Sequence, residues 1–300
     1  MAEKKDLDFS YTTIDKIFRL SLGESADFSG AKYDGNFSLS LEEAQRAKHD
    51  YIASSLNIKK GDKVLDMGCG WGPFSKYIQQ KGAKSIGLTL SQGQAEACQR
   101  NGLEVYVKDC RNIKPEDFGM FDAISCVGAF EHFCSVEDWK GGKQEAIYHD
   151  FFQTSSNLLP SGGKLYLQTM IFGHNRVPYE DIDVNAPAGS PAHIMGLMLK
   201  QFPGSWLPQD LEMVQRNAAP FFKLVSTSNG RLDYIETIGQ WRKRFRKFQL
   251  RKYWLYLKLL PQYFTDKEFR HRVAVFRLSP NRICFEQNIM DHFRLVFEKV

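Results

Sequence analysis

The stretch VLDMGCGWGPF, residues 64–74, sets three glycines, at 68, 70 and 72, directly behind a short apolar run. A strand feeding a glycine-rich turn and then a helix N-terminus lets the backbone approach a ligand closely. A dinucleotide fingerprint would space its glycines G-x-G-x-x-G and put a carboxylate at the end of the second strand for the ribose hydroxyls. Here Pro73 stands where the third glycine of that pattern belongs, and the second strand ends Gly87-Leu88-Thr89-Leu90, without an acid. The nicotinamide reading fails both tests, which leaves a cradle for some other nucleotide-like cofactor.

The flanking sequence places that turn in a fold. SLEEAQRAKHDYIASSL (40–56) predicts a helix that Ser40 caps, with Glu43 completing a capping box. After the turn, PFSKYIQQKG predicts a helix closed by Gly82, KSIGLTL a second strand and SQGQAEACQRNG another helix. EVYVKD and FDAISCVGAF predict a third and fourth strand, HDFFQTSSNLLPSGG a helix and turn, and KLYLQTMIF a fifth strand. Strand and helix alternate from 63 to 172, the pattern of a parallel, doubly wound α/β sheet. Residues 173 to about 220, rich in Pro and Gly, interrupt the alternation and predict an inserted lid. Helical, aromatic-rich sequence then leads to two expected late strands, one at RICFEQNI (282–289) and one before it. The expected division is a single domain with a helical N-terminal cap (1–56), a cofactor-binding core (57–172), a lid and acceptor region (173–260) and C-terminal strands and helix (261–300).

Composition narrows the class. With 300 residues, 43% hydrophobic and 25% charged, the chain has the makeup of an ordinary globular domain. The opening MAEKKDLDFS has no apolar signal-peptide core, and no run reaches the roughly 18 apolar residues of a membrane span. Six cysteines without a C-x-x-C pair point to reduced thiols in the cytoplasm, with neither a disulfide framework nor a metal site. Net charge is +5, and WRKRFRKFQLRKYWLYLK (241–258) holds eight Lys or Arg and no acid among its aromatics. Such a patch suits anionic lipid, nucleic acid or an acidic carrier protein; a solvated helix face is the plain alternative.

Asp66-Met67-Gly68-Cys69-Gly70-Trp71-Gly72 resembles the first motif of class I S-adenosylmethionine-dependent methyltransferases. Asp109-Cys110-Arg111 after the third strand and LLPSGGKLYL before the fifth continue that likeness. Four further stretches, GLTLSQGQ (87–94), VGAFEHF (127–133), FPGSWLP (202–208) and YDGNFSLSLEEAQRAK (33–48), resemble the cyclopropane-fatty-acid synthase family, which includes the mycolic acid methyltransferases. The likeness runs over roughly residues 30 to 245, in order. It implies a mostly parallel seven-stranded sheet and S-adenosylmethionine as cofactor. The implied cofactor shell is Tyr33, Asp34, Asp66, Gly68, Gly70, Trp71, Thr89, Leu90, Gln94, Asp109, Cys110, Arg111 and Gly128. Gln94 would serve the ribose hydroxyls with an amide where other methyltransferases use a carboxylate.

Methyl transfer to an alkene leaves a carbocation, so the acceptor site needs a dry apolar tunnel, stabilising electron density and a base. The family meets the last need with a bicarbonate held by a Cys backbone, a Glu, a His and a Tyr. The resemblance carries the Glu to Glu131 and the Tyr to Tyr234, the Cys position to Gly35 and the His position to Gln168. Three readings follow: a bicarbonate bound more weakly, Glu131 itself as base, or an easier acceptor such as an amine or activated carbon. The third resembles plant alkaloid N-methyltransferases, whose additional upstream glutamate falls here at Gly128. His132, beside Glu131, either orients the acceptor or supports the site from behind. Phe202, Trp206 and the Met195-Gly196-Leu197-Met198 run suit an acyl tunnel, and His174 and His193 fall in the expected lid. The expected partner is a lipid or other apolar acceptor, with a peripheral membrane or acyl carrier meeting 241–258; nucleic acid is not an expected partner.

Overall fold

Five short apolar runs, each divided from the next by a helix, bury both faces when their strands run parallel. The computed structural model has this arrangement; it describes residues 15–22, 26–202, 204–266, 269–270 and 279–300. β1 (Lys63–Met67), β2 (Lys84–Thr89), β3 (Glu104–Val107), β4 (Ala123–Val127) and β5 (Lys164–Phe172) pair in parallel. β6 (Phe222–Asn229) and β7 (Met290–Lys299) complete a seven-stranded sheet of order β3-β2-β1-β4-β5-β7-β6, in which β7 is antiparallel to both neighbours. The order reverses between β1 and β4, and a crevice forms at such a switch point, outside the carboxyl ends of the strands.

α1 (Asp15–Leu22) precedes the sheet, and α2 (Leu41–Ser55) carries the expected Ser40–Glu43 capping box. α3 (Pro73–Gln80), α4 (Gln92–Arg100) and α5 (Gln144–Asn157) are crossover helices between the parallel strands. α5 lays Tyr148, Phe151 and Phe152 against Phe130, with the Phe130 and Tyr148 rings stacked at 4.5 Å. Burying a side chain of this size is worth about 1.5–3 kcal/mol, so this cluster clamps the segment after β4 that carries Glu131.

Two late elements differ from expectation. RICFEQNI is not a strand: its first half belongs to α10 (Ser279–Glu286), and the strand begins after a turn, at Met290. Pro280, Asn281, Cys284 and Phe285 are buried, a helical spacing that strand alternation would not bury. The other late strand, β6, lies at 222–229, inside the expected lid and acceptor region (173–260). That region also holds α6 (Pro191–Gln201), α7 (Leu211–Ala218), α8 (Arg231–Arg246) and most of α9 (Leu250–Thr265). The expected cap before residue 15 and Pro203 of FPGSWLP lie outside the described residues. Among the described residues no helix is long and apolar enough to cross a membrane.

Residues 26–39, ahead of α2, are irregular, and the segment 26–34 is tied to several elements. The Lys48 ammonium donates to Asp27 at 2.6 Å and the His49 ring meets the same carboxylate at 2.9 Å. These partners hold the buried Asp27 carboxyl far below the usual carboxylate range against the opposing effect of burial. Gln168 Nε2 donates to the Gly30 carbonyl, Arg294 to the Ala31 carbonyl, and Ala31 N–H donates to Thr237 Oγ1. Each bond ties this strap to a different element: β5, β7 and α8.

Candidate active site

The cofactor turn forms where β1 ends. Gly68 and Cys69 both donate their N–H to the Leu88 carbonyl, and Gly72 caps α3. Gly68 has φ +77°, and a Cβ there would sit 2.4 Å from the Ala129 Cβ, so only glycine fits. Gly70 and Gly128 also have positive φ, yet a Cβ on either would meet nothing within 4 Å. They border open space between the ends of β1 and β4, the opening a nucleoside cofactor needs.

Asp66 works from below the turn. Its oxygens accept from Ser75 at 2.9 Å and Ser125 at 3.0 Å, and burial raises its carboxyl to about 6. Thr89 donates to Gln94 Oε1 at 2.7 Å, leaving the Gln94 amide nitrogen as the donor end. Leu90 is half exposed beside them. Asp109 and Arg111 pair with each other at 2.6 Å, and Arg111 also reaches the Phe133 carbonyl. Their side chains thus brace the loop, while Cys110 is buried with its thiol pushed up to about 12. Trp71 lies in the turn itself. Tyr33, within the strap, is buried, its hydroxyl lacking a hydrogen-bond partner. Asp34 pairs with Lys32 in an exposed turn.

Beyond Gly128 opens a cavity enclosing about 880 Å3 of atom-free space, its mouth included. Its walls are mostly apolar: Phe28 from the strap, Met170 and Phe172 from β5, Met195, Met198 and Leu199 from α6, then Phe202 and Trp206. The expected tunnel residues are therefore present, except that Gly196 and Leu197 do not line it. His193 instead meets the Val184 carbonyl, and His174 is exposed.

Glu131, Tyr234, Gln168 and His132 all face this cavity. Glu131 is 2% exposed; Oε1 accepts from the Met170 N–H at 2.8 Å, and Oε2 has no hydrogen-bond partner. Desolvation raises its carboxyl to about 7, against the backbone hydrogen bonds that favour the charged form. Burial likewise raises the Tyr234 phenol, with the Glu131 charge adding to it. His132 bonds Ser205 Oγ at 2.7 Å, and the cavity wall crowds its imidazole below the ordinary pKa although part of the ring stays accessible.

Gly35 does not join them. It sits with Asp34 in the exposed turn, and the glycine of this segment that lines the cavity is Gly30, five residues earlier. Gln168 is present but committed: its amide accepts from Tyr166 at 3.0 Å and donates to Gly30 O at 2.9 Å. Several wall residues went unforeseen in the sequence, Gly30, Asn281 and His292 among them. Gly30 had a signal, the S-G-A step ahead of Tyr33; His292 lies on a strand whose register cannot be read locally.

The family model for mycolic acid cyclopropane synthetase matches residues 2–260. The chain is similar to cyclopropane mycolic acid synthase 3 of Mycobacterium tuberculosis (strain ATCC 25618 / H37Rv), 30% identical over 240 residues, 77% of this chain and 78% of the relative. In fold it is similar to the cyclopropane synthase MmaA2 from Mycobacterium tuberculosis, with a TM-score of 0.77 at 24% identity over 99% of this chain and 98% of that one. It is equally similar to mycolic acid cyclopropane synthase CmaA1 complexed with SAH and CTAB, with a TM-score of 0.77 at 23% identity over the same shares of the two chains.

Proposed function

The chain belongs to the mycolic acid cyclopropane synthetase family and is an S-adenosylmethionine-dependent methyltransferase, and we propose that its acceptor is the double bond of an unsaturated acyl chain, to which it transfers a methyl or methylene group. The observation that carries this reading is the cavity beyond Gly128, walled by Met, Phe and Leu side chains with one orphaned carboxylate oxygen. A small polar amine could meet the wall's polar groups but would leave its Met, Phe and Leu surface uncovered, which an acyl chain covers.

The turn of Gly68 and Gly70, Gln94 with Thr89, and the backbone around Cys110 are the residues to hold the cofactor, which when bound supplies an electrophilic sulfonium methyl. Met, Phe and Trp walls exclude water from the acyl chain and from the cation it becomes. Glu131, held by the Met170 N–H with its second oxygen free, places negative charge where that cation develops. A bicarbonate fits the residues poorly: Gly35 is remote, and the Gln168 amide is already engaged at both ends. No step is assigned to it.

The acceptor reaches the site from a lipid surface. Leu250, Trp254, Leu257 and Phe264 recur at helical spacing along α9, and each is more than half exposed. Arg251 and Lys258 flank them, and Arg246 and Lys247 precede them. An outward apolar stripe with cationic flanks has the character of an interfacial helix that docks on anionic lipid.

Incubation with methyl-labelled S-adenosylmethionine and dioleoylphosphatidylglycerol vesicles tests both parts. Label in the fatty acid, lost with sedimentation on vesicles in Trp254→Glu/Leu257→Glu, is the expected result. A protein that binds cofactor but labels no lipid refutes the acceptor; unchanged vesicle binding by the double variant refutes the docking face.

A further inference from the structure

β5 and β7 are antiparallel neighbours, with Gln168 opposite Arg294 and Met170 opposite His292. Residues directly opposite in such a pair project to the same face. Gln168, Met170 and Phe172 of β5 and Met290 and His292 of β7 all line the acceptor cavity. An imidazole therefore stands on the strand beside the one from which a histidine is missing. His292 is 3% exposed, its ring stacks on Tyr234 at 5.0 Å and 29°, and its Nδ1 lies along the Gly230 backbone without an aligned hydrogen bond. The opposite edge faces Gly30: a Cβ there would come within 3.1 Å of Cε1 and 3.2 Å of Nε2. Glycine at 30 is what leaves room for this ring.

We propose that His292 is the general base of the acceptor site, taking through Nε2 the proton that closes a cyclopropane ring. This rests on the acyl-chain reading. The alkene π pair forms the new bond to the methyl carbon as the C–S pair leaves on sulfur. One C–H bond of the transferred methyl then breaks, its electron pair closes the ring onto the cationic carbon, and the proton becomes the N–H of an imidazolium. A proton beside a carbocation is so acidic that a weak neutral base suffices; position matters more than strength. Tyr234 from α8, Lys48 from α2, Glu131 across the cavity and Arg294 and Asp291 on its own strand are the titratable or charged groups around it. Burial, with Arg294 and Lys48, holds the imidazole well below its ordinary pKa, so it waits neutral and sheds the proton readily afterwards.

His292→Gln and His292→Phe test this, the second keeping ring volume against Tyr234. Expected are SAH affinity within about twofold of wild type, cyclopropane formation down by about 10²-fold or more, and residual labelled lipid dominated by acyclic methylated chains. In cofactor-free protein, oleoyl lysophosphatidylglycerol should shift the His292 imidazole 15N resonance, identified by its loss in His292→Phe. A folded variant with near wild-type cyclopropane yield and product ratio overturns the proposal. So does an imidazole resonance unmoved by bound lipid, or failure of both variants to fold, which assigns the ring to packing. Wild-type protein that binds cofactor but labels no lipid refutes the acyl reading beneath it instead.

Discussion

Replacing Glu131 by glutamine exchanges one oxygen for an amide nitrogen and removes a titration, so its effect on stability must itself change with pH. Burial raises the carboxyl from 4.5 to about 7 in the folded protein. Between those values the native state keeps a proton that the unfolded chain has released, and stability falls as pH rises. With 1.36 kcal/mol per pKa unit, the loss between pH 5 and pH 8 integrates to about 2.5 kcal/mol. Glutamine has no such loss, and its retained oxygen can still accept from the Met170 N–H. Glu131→Gln should therefore gain about 2.5 kcal/mol on wild type between pH 5 and pH 8, whatever offset the amide's fit introduces. Urea unfolding at pH 5, 6, 7 and 8, followed by tryptophan fluorescence, measures it. Methyl transfer by the same variant should drop about 10²-fold, as a group that stabilises charge only in the transition state requires. A stability difference flat to within about 0.5 kcal/mol over this range would refute the reasoning, because it would mean that the carboxylate is solvated or paired.

The glycine turn separates steric from cofactor effects. Gly70→Ala, with open space around its Cβ, should cost about 1–2 kcal/mol of backbone strain and keep the fold, yet weaken SAH binding at least tenfold by calorimetry. Gly68→Ala, whose Cβ collides with Ala129, should lower the thermal midpoint well beyond the Gly70 variant. Gln168→Leu leaves the Gly30 carbonyl and the Tyr166 hydroxyl without their partner. It should cost about 2–6 kcal/mol in urea unfolding, at 1–3 kcal/mol for each buried polar group left unmade.

The part of the molecule readable from sequence is the part built by local pattern. VLDMGCGWGPF declares strand, turn and helix within eleven residues, and the Ser40–Glu43 box marks a helix start within four. The capping box stands because it depends on contacts between chain neighbours, and the turn is legible because its glycines mark it locally although Leu88 holds it from β2. The acceptor wall depends on pairings between residues 138 and 263 apart, Gly30 with Gln168 and Ala31 with Arg294. Such pairings leave no periodicity to read. RICFEQNI misleads for a related reason: a short apolar run does not distinguish a buried helix from a strand, and only the packing of Cys284 and Phe285 decides. Gly35 lies in an exposed turn off the cavity wall, a placement that its local sequence does not announce.

Gly30, Gln168 and His292 belong to one rearrangement. A Cβ at 30 would press on Tyr234 and the imidazole at 3.0–3.2 Å, so both rings would have to give by a few tenths of an ångström to admit it. A strap without a side chain at 30 has no side-chain packing to hold it there, and the Gln168 amide tethers it at the Gly30 carbonyl. A histidine at 168 would have to give up that tether and the Tyr166 bond to face the acceptor. Any one of the three positions exchanged alone thus disturbs a contact made by another. Gln168, which departs from the four-ligand anion site, tethers the same Gly30 whose bare Cα faces the imidazole of the neighbouring strand.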